Sequence, residues 1–104
     1  MTTQFDNVTV LKKQMVQRVL FGPDRTATGV VLADGTNVHC TKDVLLCAGS
    51  IGSPAILERS GVGNANLLRE LGIPVVVDNV HVGENLCDHL QARIYAQQHH
   101  NTCC

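Results

Sequence analysis

Asp43-Val44-Leu45-Leu46-Cys47-Ala48-Gly49-Ser50-Ile51-Gly52-Ser53-Pro54-Ala55-Ile56-Leu57-Glu58-Arg59-Ser60-Gly61-Val62-Gly63 is the stretch on which the fold of this chain turns. Its first part, Val44 to Ala48, is apolar without alternation, the pattern of a strand buried on both faces in a sheet covered by helices. Gly49 ends that strand and, having no side chain, lets a ligand or another backbone come close. Ser53 and Pro54 read as an N-cap and a first helical position, which predicts a helix over 54–60. Gly61 then stops the helix in the left-handed conformation. A buried strand, a glycine turn and a capped helix form one edge of a nucleotide-binding α/β layer.

Upstream of this unit the chain predicts short strands. Residues 7–11 alternate Val8 and Val10 with Asn7 and Thr9, a half-buried pattern. Lys12 and Lys13 make a solvated turn, and alternation resumes over 14–21. Gly22-Pro23-Asp24-Arg25 is a turn cluster. Thr28 to Leu32 is the next strand, and Asp34-Gly35 signals a hairpin before a third strand over 36–41. Three successive strands of this kind make an antiparallel meander. Downstream, Leu67, Leu68 and Leu71 give a narrow apolar stripe to a helix over 66–71. Gly72 and Pro74 end it, Val75-Val76-Val77 is a short strand, and Asp78-Asn79 closes that strand. Residues 84–90 fit a helical turn or an ordered loop, and 91–96 alternate weakly as a last strand. The fold class is α/β: a meander leading into a buried strand and two short helices.

Composition narrows the function. A chain of 104 residues is one domain at most, and a formal charge of −1 with scattered Lys and Arg gives no basic stripe for nucleic acid. Phe5, Phe21 and Tyr95 are the only aromatic residues, too few for base stacking. No apolar run is long enough to span a bilayer, and the first residues carry no secretory pattern, so a cytoplasmic location is the default. The five cysteines include no Cys-x-x-Cys pair, which argues against a disulfide framework. Cys47 reads as a small hydrophobe inside the buried strand. His99-His100-Asn101-Thr102-Cys103-Cys104 could suggest metal, but adjacent ligands cannot easily converge on one tetrahedral centre, and residues 97–104 read as a disordered tail.

Ala48-Gly49-Ser50, Ser53-Pro54-Ala55-Ile56-Leu57 and Ser60-Gly61-Val62-Gly63 together resemble the second signature of the glucose–methanol–choline (GMC) flavoprotein oxidoreductases. Val82-Gly83-Glu84-Asn85-Leu86 with Asp88-His89 resembles a further block of the same family. His81 stands where glycine is common, Cys87 where glutamine is common, and the ending from Gln97 matches nothing in the family pattern. The resemblance implies that residues 1–96 are a middle portion of a FAD-binding domain. It also implies a parent enzyme that oxidises an alcohol at CH–OH by passing hydride to flavin N5, with FAD as cofactor. The glycine-rich pyrophosphate site and the histidine base of the family are not among these residues. The isolated chain is therefore expected to be inactive, without retained FAD and without catalytic residues. A small non-enzymatic interaction module built on the same sheet is the alternative.

By the same resemblance, Val16 in Val16-Gln17-Arg18-Val19 lies against the adenine of FAD through its backbone; from composition alone it is a core valine. Ala48 and Gly49, at the carboxyl end of the expected strand, suit close approach of a flavin nucleotide, or equally of a packed helix. Gly61-Val62-Gly63 imitates a dinucleotide fingerprint, but the third glycine position is Asn66 and the segment ends a helix. Asp88 and His89, adjacent in an extended segment, point to opposite sides and fit backbone bonding better than shared proton transfer. Ser50, Ser53 and Ser60 lack the setting of a nucleophile elbow. The flavoprotein reading hangs on Val44–Ala48 being an interior strand; with that run on an exposed sheet margin or in a helix, the flavoprotein ancestry would have to be abandoned.

Overall fold

The computed structural model describes residues 7–92. The expected last strand and the tail beyond Gln97 therefore lie, in most or all of their length, outside the described residues. The meander forms as anticipated. β1 (Val16–Phe21), β2 (Ala27–Leu32) and β3 (Asn37–His39) make an antiparallel sheet in that order. Both connections are tight because an aspartate side chain organises each. Asp24 accepts hydrogen bonds from the Thr26 hydroxyl (2.7 Å) and amide (3.1 Å), while Asp34 accepts from the Thr36 amide (2.9 Å). Gly35 supplies the left-handed φ of +87° that the second turn requires.

These two turns give a pH prediction. Donation from the Thr26 hydroxyl and then its amide holds the Asp24 carboxyl below its ordinary value; donation from Thr36 does the same for Asp34. Folded values lower than unfolded ones mean that the turns' contribution is present above the unfolded carboxylate pKa and is lost as pH falls through the folded values. Carboxyl NMR titration is expected to place both aspartates below a reference peptide. Values at or above the reference would remove the acid sensitivity assigned to these turns.

The second half contains α1 (Gly49–Arg59), β4 (Val62–Gly63), α2 (Ala65–Glu70) and β5 (Val77–Asp78), with β4 and β5 parallel. β4 was not anticipated: two residues are too short to leave a period in the sequence. β5 falls two residues later than the valine run suggests, because the Gly61 carbonyl takes the amides of Val76 (2.8 Å) and Val77 (3.1 Å). α1 begins five residues earlier than Ser53-Pro54 implies. Ser53 is thus not the N-cap. It lies within the helix, and its hydroxyl reaches back to accept the Ala48 amide at 3.0 Å, satisfying a group near the helix start from inside. Asn64 caps α2 by accepting the Asn66 amide, and Asp78 accepts the Ala65 amide, each at 3.0 Å. The leucine stripe of α2 is narrower than its spacing suggests: Leu68 is buried, whereas Leu67 and Leu71 are 43% and 64% exposed.

The largest correction concerns Val44–Ala48. The run forms no strand and does not enter the core, and Cys47 is exposed. A strand apolar on both faces needs neighbours on both edges and cover above and below. The described residues supply no strand neighbour on either edge and only partial cover, at Val44 and Leu46. Residues 7–11 likewise form no strand, and Val8, Val10 and Leu11 are exposed, because no strand pairs with them. The core is small: Val19, Val31, Leu32, Ile56, Ala65 and Leu68, with Ser60 the buried polar residue among them.

Candidate functional site

The C-terminal end of α1 is bonded to the outer edge of β1. Ser60 Oγ accepts the buried Val19 amide at 2.7 Å while donating to the Ile56 carbonyl, and Arg59 Nε donates to the Gln17 carbonyl at 2.8 Å. Two backbone groups of an edge strand are thereby paired without another strand. Replacing Ser60 with alanine strands the Val19 amide, and a loss of about 1–3 kcal/mol is expected, read as the urea midpoint by circular dichroism. An unchanged midpoint would show that this bond does not hold helix to sheet. The clamp was missed in the sequence, although a serine just past an apolar helix, inside a recognised block, was a usable signal for it.

Val16, half-buried, begins β1 opposite Leu32. The adjacent pair is joined by a bond from the Ala33 amide to the Met15 carbonyl at 2.8 Å. In an antiparallel ladder hydrogen-bonded pairs alternate with non-bonded ones, so Val16 turns its own N–H and C=O away from β2, toward the outer edge. Ala48 and Gly49 are exposed and stand at the start of α1, not at the end of a strand. Gly49 has φ +81°, and a Cβ there would meet nothing within 4 Å. The structure does not gather these three residues at one point. Val16 adjoins the C-terminal end of α1 through Gln17, whereas Ala48 and Gly49 lie at its N-terminal end, about 15 Å away along an eleven-residue helix.

α1 also forms one wall of an open cleft of about 560 Å³, with residues 83–87 opposite; Ser50, Ile51, Pro54, Glu58, Glu84 and Leu86 line it. Gly83, at φ +81°, lets the loop approach the Glu58 carboxylate, which an added Cβ would meet at 3.1 Å. The two sequence blocks that carry the resemblance therefore face each other across this cleft. Asp88 and His89 lie outside it and are exposed, and the Asp88 carboxylate accepts the His89 amide at 2.7 Å. Gly61 ends α1 and Gly63 lies within β4, just ahead of Asn64, the N-cap of α2; the third glycine of a dinucleotide fingerprint is replaced by Asn66 inside that helix. Among the described residues no group of three His, Cys, Asp or Glu side chains is placed to hold a metal.

A flavoprotein-type segment is what the paired blocks and the meander define, and comparison with known proteins places it. Residues 2–91 match the family described as GMC oxidoreductase, and the chain belongs to that family. It is 47% identical over 93 residues to an oxygen-dependent choline dehydrogenase of Cronobacter sakazakii, covering 85% of this chain and 16% of that protein. It is 47% identical over 88 residues to the dehydrogenase pyvF of Aspergillus violaceofuscus, covering 82% of this chain and 14% of that one. A solved structure of the formate oxidase of Aspergillus oryzae, from a study of FAD modification in that enzyme, superposes with a TM-score of 0.68 at 33% identity. That superposition covers 74% of this chain and 14% of the oxidase. The chain thus spans about a sixth or less of its relatives' length. Val44–Ala48 forms no strand, with Leu45, Cys47 and Ala48 exposed, and the family holds nonetheless. Membership rests on the match over residues 2–91, whereas burial of one strand depends on the rest of a sheet.

Proposed function

We propose that this chain is a middle portion, residues 1–96, of the FAD-binding domain of an oxidoreductase acting on a CH–OH donor, and that Val16, Ala48 and Gly49 face the cofactor. The observation that carries this reading is the outward-turned amide and carbonyl of Val16. An outward N–H beside an outward C=O matches the acceptor and donor edge of adenine, and a small aliphatic side chain leaves that edge accessible. Gly49 leaves open space at the start of α1, and the first turn of that helix carries no acidic residue, which suits a negatively charged nucleotide. Two contact regions a helix length apart fit an elongated dinucleotide. FAD, when bound, supplies the hydride acceptor; the residues described here orient it and contribute no proton-transferring group. The substrate of the parent is a small alcohol.

Grafting tests this. Residues 2–91 are exchanged for the matching segment of the Cronobacter sakazakii choline dehydrogenase, and flavin absorbance per protein is measured. The chimera is expected to be yellow and to oxidise choline. Val16→Pro, which removes the amide, is expected to lower flavin content at least tenfold, whereas Val16→Ala leaves it unchanged. A folded chimera without flavin sinks the cofactor reading, and equal flavin in both variants sinks the adenine contact. The chain alone is expected to be colourless and inactive. Flavin absorbance in the purified chain would show that it, or an oligomer of it, builds a cofactor site unaided.

A further inference from the structure

β1 is not a regular strand. Val16 faces Leu32 and Arg18 faces Val31, so Gln17 between them is an extra residue without a partner, a β-bulge. Such a residue drops out of the ladder and bends the strand, which re-aims the groups beside it. Here the bulge directly follows Val16, whose amide and carbonyl turn outward. The Gln17 carbonyl is itself held from outside, by Arg59 Nε at 2.8 Å. Arg59 stands in the last turn of α1, where a cation suits the unpaired helix carbonyls, and its bond to Gln17 is charge-assisted. The other bond between α1 and β1, from the Val19 amide to Ser60 Oγ, lies beyond the bulge and is buried. Ser60 therefore anchors helix to sheet, while Arg59, which is exposed, acts at the bulge.

We infer that Arg59 is a positioning residue for the adenine end of FAD: by holding the Gln17 carbonyl it fixes the bulge that aims the amide and carbonyl of Val16. The inference rests on the Val16 contact proposed above and adds the side chain that directs it. With the Gln17 carbonyl released, the peptides on either side of Gln17 can rotate, and the outward edge of Val16 loses its set direction. A pair of hydrogen bonds to a planar base tolerates little misdirection, because such bonds weaken steeply as donor and acceptor leave line. The fold itself loses little, since water can replace an exposed hydrogen bond, whereas the buried Val19 amide has no such substitute. Arg59 thus governs geometry at Val16, and Ser60 governs stability.

The test uses the choline dehydrogenase chimera carrying residues 2–91, freed of flavin and titrated with FAD or with FMN, which lacks the adenosine half. Arg59→Met keeps the stem and removes the donor. It is expected to weaken FAD binding at least tenfold and to leave FMN affinity and the urea midpoint unchanged. Arg59→Lys restores a cationic donor and is expected to recover most of the loss. Unchanged FAD affinity in Arg59→Met, with Val16→Pro still losing flavin, overturns the positioning role and leaves the Val16 contact standing. Equal weakening of FAD and FMN, or no recovery with lysine, also overturns it, since general support of the segment acts in that way. Val16→Pro without effect removes the Val16 contact and the inference with it. Where Arg59→Met does not fold in the chimera, amide NMR of the chain itself carries the test. The resonances of residues 16–18 are then expected to move while those of β3 stay in place. No movement at 16–18, or equal movement in β3, overturns the assignment.

Discussion

Leu68→Ala is expected to cost about 2–5 kcal/mol, the largest effect of any single truncation among the described residues. Leu68 has no exposed surface and is the large side chain most completely enclosed among the described residues. It lies in α2 and is one of six apolar residues that make up the core among the described residues. Removing its branched end deletes the transfer free energy of the lost atoms. It also leaves a cavity that so few neighbours cannot refill. Against the 5–15 kcal/mol typical of a whole domain, such a loss takes away much of the folded population. Urea denaturation followed by circular dichroism reads it, with Leu67→Ala as the control, since Leu67 is 43% exposed one position earlier in the same helix. Equal shifts for the two would show that α2 does not pack as described.

Gly61→Ala is expected to destabilise by about 2–5 kcal/mol, by a different route. Gly61 has φ +87°, in a region where a side chain costs about 1–2 kcal/mol. The added Cβ would also collide with the Pro74 carbonyl and lie 2.9 Å from the Val76 side chain, adding an overpacking cost of about 1–3 kcal/mol. The same residue ends α1, and its carbonyl receives the Val76 and Val77 amides, so the clash falls where β5 is brought beside β4. Gly35→Ala separates the two causes. Gly35 also has φ +87°, but a Cβ there meets nothing within 4 Å, so only the conformational part is expected. Similar midpoint shifts for both would mean that close approach at Gly61 contributes nothing.

The meander was legible because each of its signals is local. The alternation read over 14–21 and the two aspartate turns act within a few residues of one another, and the hydrogen bonds of Asp24 and Asp34 span only two. The helix stop at Gly61 was legible for the same reason. The start of α1 was not. Ser53-Pro54 is a sound N-terminal signal by itself, yet a serine hydroxyl can also reach back from inside a helix, and only the path of the chain selects between these. Among the candidate cofactor residues, Val16 stands where the sequence puts it. Ala48 and Gly49 do not follow a strand, because the strand expected before them has no partners here.

Residue identity alone determined the α/β class, the turns and the two blocks that mark this chain as a GMC oxidoreductase segment, since motifs and short-range hydrogen bonding need no distant partner. Tertiary structure decided that Ser60 and Arg59 close the edge of β1, that Gly61 joins α1 to β5, and that Val44–Ala48 pairs with no strand and stays outside the core. Burial and strand pairing depend on which other surfaces arrive to cover a segment, and a residue pattern records the need for that cover without supplying it.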